Sequence, residues 1–178
     1  MLAMRKLARL FRYDWPMHFV LLATNWLPDN VAFLRFRGWL ASHFLGSCGK
    51  DLRLGRNVTF YNPVAIDFGN HIYVALGCWF MAGGEIRVED EVLFGPYCVV
   101  VSSAHAREGG SFRYGPPRQD PIWVGRGCWL AAHVVVSGGA SIGEGCLVAA
   151  QSVVTGPTPP NAMVVGQPAK PVKEMGWD

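Results

Sequence analysis

Residues 122–154 read IWVGRGCWLAAHVVVSGGASIGEGCLVAAQSVV, and this stretch contains a repeat with a period of six. A small or aliphatic residue recurs at every sixth position, in the series Ile122, Cys128, Val134, Ala140, Cys146 and Ser152. A second series of bulkier residues lies two positions further along the chain, at Val124, Leu130, Val136, Ile142, Val148 and Val154. This period fits neither an α-helix nor a simple alternating strand. It is typical of parallel β-helices, in which each hexapeptide forms one short strand and one corner.

The same paired pattern occurs earlier in the chain, between residues 52 and 100. The pairs are Leu52/Leu54, Val58/Phe60, Val64/Ile66, Ile72/Val74, Cys78/Phe80, Ile86/Val88, Val92/Phe94 and Cys98/Val100. Two-residue insertions follow Ile66 and Phe80, and one long excursion, residues 104–121, separates the two blocks. At three hexapeptides per coil, the sequence predicts an all-β solenoid of about five coils between residues 52 and 157.

Composition and charge narrow the class of protein. Hydrophobic residues make up 51% of the 178 residues and charged residues only 16%, which excludes a disordered chain. A net charge of +3 gives too little basic surface for an ordinary nucleic-acid binder, so no nucleic-acid partner is expected. The charge is uneven, because residues 1–50 contain seven Lys/Arg and two Asp, whereas the remainder contains nine basic and eleven acidic residues.

The two ends of the chain lie outside the repeat. Residues 2–13 are predicted to form an amphipathic helix, with Leu7, Leu10 and Phe11 on one side and Arg5, Lys6, Arg9 and Arg12 on the other. A second helix is predicted over residues 31–45. Residues 1–50 would then cap the first coil, with contact to an anionic membrane as the alternative role. The proline-rich residues 155–173 should form an extended tail that closes the solenoid, with residues 158–178 as a separate C-terminal segment after the 51–157 β-helix.

The location of the protein is predicted from what the N-terminal region lacks. Its longest uncharged stretch, Trp15 to Pro28, is too short to span a bilayer, which needs about 20 apolar residues. Asp14 and Pro16 also argue against a signal peptide. We therefore expect a cytoplasmic protein with possible peripheral contact at the inner face of the cell membrane.

Several motifs together resemble the hexapeptide acyltransferases. They are VSSAH at 101–105, PIWVGRGCWLAA at 121–132 and AAQSVVTGPTPPNAMVVGQPAK at 149–170. The sequence is most similar to sugar O-acetyltransferases of the maltose/galactoside and exopolysaccharide-modifying kinds, over residues 52–173. The resemblance implies a left-handed β-helix, a homotrimer, acetyl-CoA bound between neighbouring subunits and a carbohydrate acceptor.

His105 matches the general base of that family. An imidazole suits this role because its ordinary pKa, about 6.5, lets it accept a proton near neutral pH. From the stacking of Cys98 over Cys78, seven residues before His105 and Glu85, we expect Glu85 to lie beside His105 and orient its ring. These two residues are the predicted catalytic group.

Five residues match positions that line the acetyl-CoA groove of the family. They are Trp129, Ala132, Ala150, Thr155 and Lys170. The small ones leave room for the pantetheine arm, and Lys170 would contact the phosphates of CoA. A lysine frequent in the family is Gly156 here, and acceptor-holding Asn and Asp residues of maltose-type enzymes correspond to Gly77 and Ala82. Trp79, Met81 and Tyr97 therefore suggest an apolar or aromatic acceptor surface.

No metal is expected. Four of the five cysteines fall in the small-residue corner series, and no C-x-x-C motif or Cys/His ligand spacing occurs. His105 and His133 are 28 residues apart and neither has a close partner, which disfavours the zinc site of β-helix carbonic anhydrases. Two alternatives stay open: an amino-sugar or antibiotic acetyltransferase, and a non-catalytic solenoid scaffold.

Overall fold

The computed structural model describes residues 7–176 and contains a solenoid of short strands. In chain order these strands are β1 (Ser47–Cys48), β2 (Arg53–Leu54), β3 (Thr59–Tyr61), β4 (Ile66–Phe68), β5 (Tyr73–Val74), β6 (Trp79–Met81), β7 (Ile86–Val88), β8 (Leu93–Phe94), β9 (Val99–Val101), β10 (Ser103–His105), β11 (Pro117–Gln119), β12 (Ile122–Val124), β13 (Trp129–Leu130), β14 (Val135–Ser137), β15 (Ser141–Ile142), β16 (Leu147–Val148), β17 (Val153–Val154), β18 (Ala162–Gly166) and β19 (Ala169–Glu174). Each coil contributes one strand to each of three parallel sheets.

The three sheets form the three walls of the solenoid. Sheet I contains β1, β4, β7, β12 and β15; sheet II contains β2, β5, β8, β13, β16, β18 and β19; sheet III contains β3, β6, β9, β14 and β17. The register keeps equivalent residues in columns, as in Ile66, Ile86 and Ile122 of sheet I. The strand and corner residues of both hexapeptide series are buried throughout residues 122–154. The predicted β-solenoid is thus confirmed with five complete coils, but its first strand, β1, lies within residues 1–50, which were predicted to belong to the cap.

Two helices cover the first coil. Residues 7–9 are helical and continue through a π-helical turn, Leu10–Asp14, into α1 (Trp15–Thr24). A second helix, α2 (Val31–Ser42), begins at Asn30, whose side chain accepts a hydrogen bond from the backbone N–H of Phe33 at 3.1 Å. In this part of the chain the sequence predicts a helix over residues 2–13 only, whereas the helical segment continues through Pro16 to Thr24. Pro16 lies inside this continuous helical segment, directly after the π-helical turn, where its missing N–H removes one intrahelical donor.

Arg37 ties these helices to the solenoid. Its side chain is fully buried in α2 and donates to the backbone oxygens of Leu54 in the first coil, and of Thr24 and Leu27 after α1. Asp29 completes the set at 3.1 Å. The described part of the N-terminal region therefore caps the first coil; Arg5 and Lys6 lie outside the described residues. No helix within residues 7–176 is long and apolar enough to cross a membrane.

The C-terminal segment corrects one expectation. The predicted extended tail is present, but β18 stays in the register of sheet II, with Met163 beside Leu147 and Val164 beside Val148. The prolines flank these residues instead of interrupting them, so β18 can pair through its N–H groups and bury Val164. The chain then reverses into β19, which pairs antiparallel with β18 and ends the sheet.

Candidate active site

His105 lies on a hairpin that projects from the solenoid. The excursion leaves the coil after β9 and forms two antiparallel strands, β10 and β11, in which His105 is paired with Pro117. The chain returns to the solenoid at β12 in sheet I, so the hairpin stands at the edge between sheets III and I. The residue is exposed. An imidazole there is accessible to an acceptor from solvent.

Ser102 fixes the base of this hairpin, a role that the sequence analysis did not predict. Its backbone oxygen accepts from the N–H groups of Gly84 and Asp120, each at 3.1 Å. The side-chain hydroxyl, which is buried, donates to the backbone oxygen of Gly84 at 2.9 Å. Ser102 thus joins the start of the excursion, its end and the coil below, three residues before His105. The available signal in the sequence was a serine directly after the apolar residues of a predicted strand.

The prediction that Glu85 lies beside His105 is wrong for a single copy of the chain. In these coils, residues that are 20 positions apart in sequence lie side by side in neighbouring strands, and the last such pair before the hairpin is Met81 and Val101. This stacking ends where the hairpin leaves the coil, and Ile122 then follows Ile86 in sheet I. Pro121, and not His105, is therefore the residue next to Glu85 in the following coil. The Glu85 carboxylate instead forms an ion pair with Arg87 at 2.7 Å, and no hydrogen bond within residues 7–176 joins it to His105.

The residues predicted to hold acetyl-CoA lie around a different edge. Ala132 and Ala150 occupy successive coils at the edge between sheets II and III, where the N–H of Gln151 donates to the backbone oxygen of Ala132 at 3.0 Å. Trp129 is half exposed on the outer face of sheet II, between Leu93 and Leu147. The small alanines leave the outer surface of this edge open beside an aromatic ring. A narrow, flexible chain could lie along it.

Thr155 and Lys170 are further from this edge. Thr155 is exposed and directly follows β17 in sheet III, whereas Lys170 is exposed on β19 and pairs with Val165. In one copy of the chain, sheet III separates His105 from Ala132 and Ala150, because the hairpin and the alanines stand at its two opposite edges. A single copy therefore does not bring the predicted base and the predicted CoA-binding edge together.

The outer face of sheet III is mostly apolar, with Thr59 and Ser137 as polar residues of its two rows. A ladder of side chains runs along it from Trp79 to Val99, Val135 and Val153 in successive coils. Met81 and Val101 form a second, parallel row. Two of the three predicted acceptor residues, Trp79 and Met81, belong to this face. Tyr97 lies at the edge between sheets II and III, where its ring stacks on His133 with centroids 5.2 Å apart.

A groove of 810 Å³ follows the outer face of sheet I. The stacked residues Asp67, Arg87 and Trp123 line it, together with Glu85 from the edge where the hairpin leaves. Its carboxylates and guanidinium are polar groups of the kind that contact sugar hydroxyls. The groove adjoins the hairpin edge and contains the Glu85–Arg87 pair.

The five cysteines lie in or against the hydrophobic core of the solenoid. Cys78, Cys98, Cys128 and Cys146 are buried in the corners, and the described cysteines form no disulfide. A hydrogen bond to Cys98 and burial raise the pKa of the Cys78 thiol, and burial raises the pKa of Cys48 to about 11. Neither thiol is activated as a nucleophile. Within residues 7–176, no three His, Cys, Asp or Glu side chains are grouped so that they could hold a metal ion.

The comparison with known families and proteins agrees with this architecture. Residues 121–156 match the bacterial transferase hexapeptide family (six repeats), and they comprise the fourth and fifth coils. A protein named as an acetyltransferase in Staphylococcus aureus (strain COL) is 36% identical over 128 residues, 68% of this chain and 64% of that protein. The galactoside O-acetyltransferase of Escherichia coli (strain K12) is 25% identical over 128 residues, 68% of this chain and 63% of that protein. The alignments thus span slightly less than two thirds of these relatives.

Solved structures share the fold. A hexapeptide-repeat acetyltransferase from Vibrio cholerae O1 biovar eltor, complexed with acetyl-coenzyme A, has a TM-score of 0.80 at 23% identity. The alignment covers 91% of this chain and 86% of that chain. A maltose O-acetyltransferase from Clostridium difficile 630 has a TM-score of 0.79 at 20% identity, with 96% of this chain and 89% of that chain covered. The chain is a hexapeptide-repeat protein with the left-handed β-helix fold. Its resemblance to the hexapeptide acyltransferases, inferred from sequence motifs, is confirmed.

Proposed function

We propose that this protein is an acetyl-CoA-dependent O-acetyltransferase that transfers the acetyl group to a hydroxyl of a carbohydrate, either a polysaccharide or a lipid-linked sugar precursor. The observation that carries the proposal is the exposed His105 on a hairpin whose base is fixed by Ser102. The relatives support the reaction class, since several are named acetyltransferases and one is a galactoside O-acetyltransferase. Acetyl-CoA is the co-substrate, and the reaction as proposed needs no metal.

The active site is proposed to form between copies in a homotrimer. His105 and the edge with Ala132 and Ala150 lie on opposite sides of sheet III in one chain. A cyclic assembly packed through the apolar face of sheet III would bring the hairpin edge of one copy next to the alanine edge of its neighbour. Burial of Val99, Val135 and Val153 would supply apolar contact area for this association.

In this arrangement the chemistry requires one base and good positioning. His105 accepts the proton of the acceptor hydroxyl while the oxygen attacks the carbonyl carbon of the thioester. The C–O bond forms, the C–S bond breaks, and the CoA sulfur leaves and takes up a proton. The products are an acetyl ester of the sugar and free CoA. The thioester is already activated, so the step needs no covalent enzyme intermediate.

Each predicted donor residue has a defined part in the proposal. The pantetheine arm lies over Ala132 and Ala150, where larger side chains would block it, and Trp129 packs against it from sheet II. Thr155 contacts the bound CoA where sheet III ends, after β17. Lys170 contacts the phosphates of CoA as a point charge. Glu85 receives no catalytic part, because its carboxylate is engaged by Arg87.

The test is thiol release from acetyl-CoA over a panel of sugars, oligosaccharides and amino sugars, with the acetylated product identified by mass spectrometry. We expect O-acetylation of a neutral carbohydrate, and a fall of roughly 10²-fold or more in turnover for His105→Ala, as for loss of a positioned general base. The control is His71→Ala, since His71 is exposed in a turn between sheets I and II. Acetylation of amines alone would favour an amino-sugar acetyltransferase. Absence of thiol release with every acceptor would favour a scaffold.

The protein is further proposed to work in the cytoplasm at the inner face of the cell membrane. Its first 50 residues carry the excess of basic charge, with seven Lys/Arg against two Asp. Anionic lipid headgroups attract such segments by about 1 kcal/mol for each basic residue near the surface. A membrane location would place the enzyme beside lipid-linked acceptors.

A further inference from the structure

The outer face of the N-terminal helix is mostly apolar, with the exposed His18 beside Phe19 as a polar residue on it. Five large side chains along it are each more than half exposed: Phe11, Trp15, Phe19, Leu22 and Trp26. Phe11, Trp15, Phe19 and Leu22 recur every three or four residues and therefore share one side of the helix, and Trp26 follows in the turn after α1. The rings of Phe11 and Trp15 are in contact, with centroids 4.7 Å apart. We call these five residues the aromatic stripe.

The stripe is not the packing face of the helix. Met17, Leu21 and Thr24 are the buried residues of α1, and the first two belong to the hydrophobic core. At 3.6 residues per turn, they lie on the opposite side from Trp15, Phe19 and Leu22. The helix thus has two apolar faces, of which one covers the first coil and the other faces outward. A helix that only caps a solenoid needs a polar outer face, because terminal caps must stay soluble.

The charges beside the stripe are positive. Arg12 is the one exposed Lys, Arg, Asp or Glu residue between residues 7 and 26. The single acidic residue there, Asp14, is mostly buried and paired with Arg9 at 3.5 Å. In the sequence, residues 1–12 contain four basic and no acidic residues. An apolar aromatic face bordered by cations complements an anionic lipid surface, where tryptophan rings are favoured at the headgroup level.

We propose that the aromatic stripe inserts into the interface of an anionic membrane and holds the protein there, with the helix lying in the membrane plane. This rests on the membrane location given above but not on the transferase reaction. It differs from purely electrostatic adsorption, because Arg9 and Arg12 are partly engaged within the chain: Arg9 with Asp14, and Arg12 with the backbone oxygen of His43 at 3.4 Å. Apolar insertion carries most of the affinity, and the basic residues select anionic lipids.

The same geometry argues against a second copy as the occupant. Residues 7–24 form a helix about 27 Å long at 1.5 Å per residue, with the aromatic stripe along its outer face. A bilayer surface can contact such a face along its whole length. In the proposed trimer, the three first-coil ends point in one direction, so three stripes could meet one membrane and bind with avidity. Pairing of stripes between copies would instead join trimers into larger species.

The experiment is flotation of the full-length protein with vesicles of phosphatidylcholine alone or mixed with phosphatidylglycerol. The test variant is Trp15→Ser combined with Phe19→Ser. The matched control for flotation alone is Trp123→Ser, because Trp123 on sheet I is 50% exposed and Trp15 is 51% exposed. Sedimentation, thermal unfolding and thiol release with a soluble sugar are measured for each variant, so that membrane binding is separated from folding, assembly and activity.

We expect the wild type and Trp123→Ser to float with the anionic vesicles and less with the neutral ones, and to stay partly bound at high salt. The double variant should lose roughly tenfold or more of its bound fraction, as expected when apolar insertion drives binding. It should keep its sedimentation, unfolding temperature and thiol release. Flotation of the double variant equal to wild type would overturn the proposal. So would complete release of wild type at high salt, failure of wild type to float, or a change in the mass of the assembly in the double variant.

Discussion

Arg37 shows how one buried charge can organise the start of a solenoid. The guanidinium lies between α2, the end of α1 and the first coil, and it donates to three backbone oxygens, those of Thr24, Leu27 and Leu54. Buried unpaired polar groups are costly, so the arginine holds the cap in one arrangement. This role could not be predicted from the sequence, because Arg37 and the exposed Arg35 occur in the same basic and aromatic segment.

Arg37→Met should therefore destabilise the protein by about 3–5 kcal/mol, the usual cost of removing one partner from a buried charged network. Arg35→Met is the control, two residues away in the same helix. Arg35 is mostly exposed and makes one ion pair, with Asp51 at 2.8 Å, so its loss should cost less than about 1 kcal/mol. Urea unfolding of both variants would measure the difference, and equal costs would contradict the assigned role of Arg37.

Asp51 provides a prediction of pH dependence. Hydrogen bonds from Arg53 and Arg35 lower the pKa of Asp51 to about 2. The unfolded value is about 3.9, so the contribution of this carboxylate to stability is present above about pH 4 and is lost as the pH falls toward 2. The stability difference between wild type and Asp51→Asn should then shrink over that range. Urea midpoints measured from pH 5 down to pH 2 would test this, and a difference independent of pH would exclude it.

At the scale of elements, the backbone of α2 packs closely against the backbone of the first coil at Gly38. A Cβ at Gly38 would overlap the backbone oxygen of Leu52, so only glycine allows the helix to pack at this distance. The first coil therefore sets which residue the helix can carry at that position.

Gly38→Ala should destabilise the protein by about 1–3 kcal/mol, as overpacking does, although alanine is the better helix former by about 1 kcal/mol. Gly156→Ala is the matched control, because a Cβ there has open space. Thermal unfolding is the measurement. A Gly38→Ala protein as stable as wild type would show that the contact between α2 and the first coil leaves room for a Cβ.

The sequence predicted elements well where one local rule repeats, and less well where a long-range contact decides. The hexapeptide period located the coils, because each corner needs a small residue and each wall a bulky one. It could not place β18, since prolines on both sides suggested a tail while pairing with β16 holds the strand in register. It misplaced Glu85 for the same kind of reason: the hairpin changes the stacking partner of that position from residue 105 to residue 121. Ala132 and Ala150 were predicted from the family resemblance, and the structure places both at the edge between sheets II and III.

At the scale of the whole molecule, assembly through sheet III makes a specific prediction. Val135→Glu places a charge in the middle of the apolar ladder, between Val99 and Val153. The wild type should sediment at three times the 19.6 kDa chain mass, whereas this variant should sediment as a monomer and lose acetyl transfer. The control is Leu93→Glu on the exposed face of sheet II, which should stay trimeric. A trimeric Val135→Glu protein would show that sheet III is not the contact.

The central claim is that two copies of the chain share each active site, and coexpression of two inactive variants tests it most directly. His105→Ala removes the base but keeps the alanine edge, and Ala150→Trp blocks that edge but keeps the base; each variant alone should be nearly inactive. In trimers mixed at random from equal amounts, about one site in four pairs an intact His105 with an intact neighbouring edge, so about a quarter of wild-type acetyl transfer should return. No recovery in mixed trimers, confirmed as mixed by mass spectrometry, would contradict a shared site.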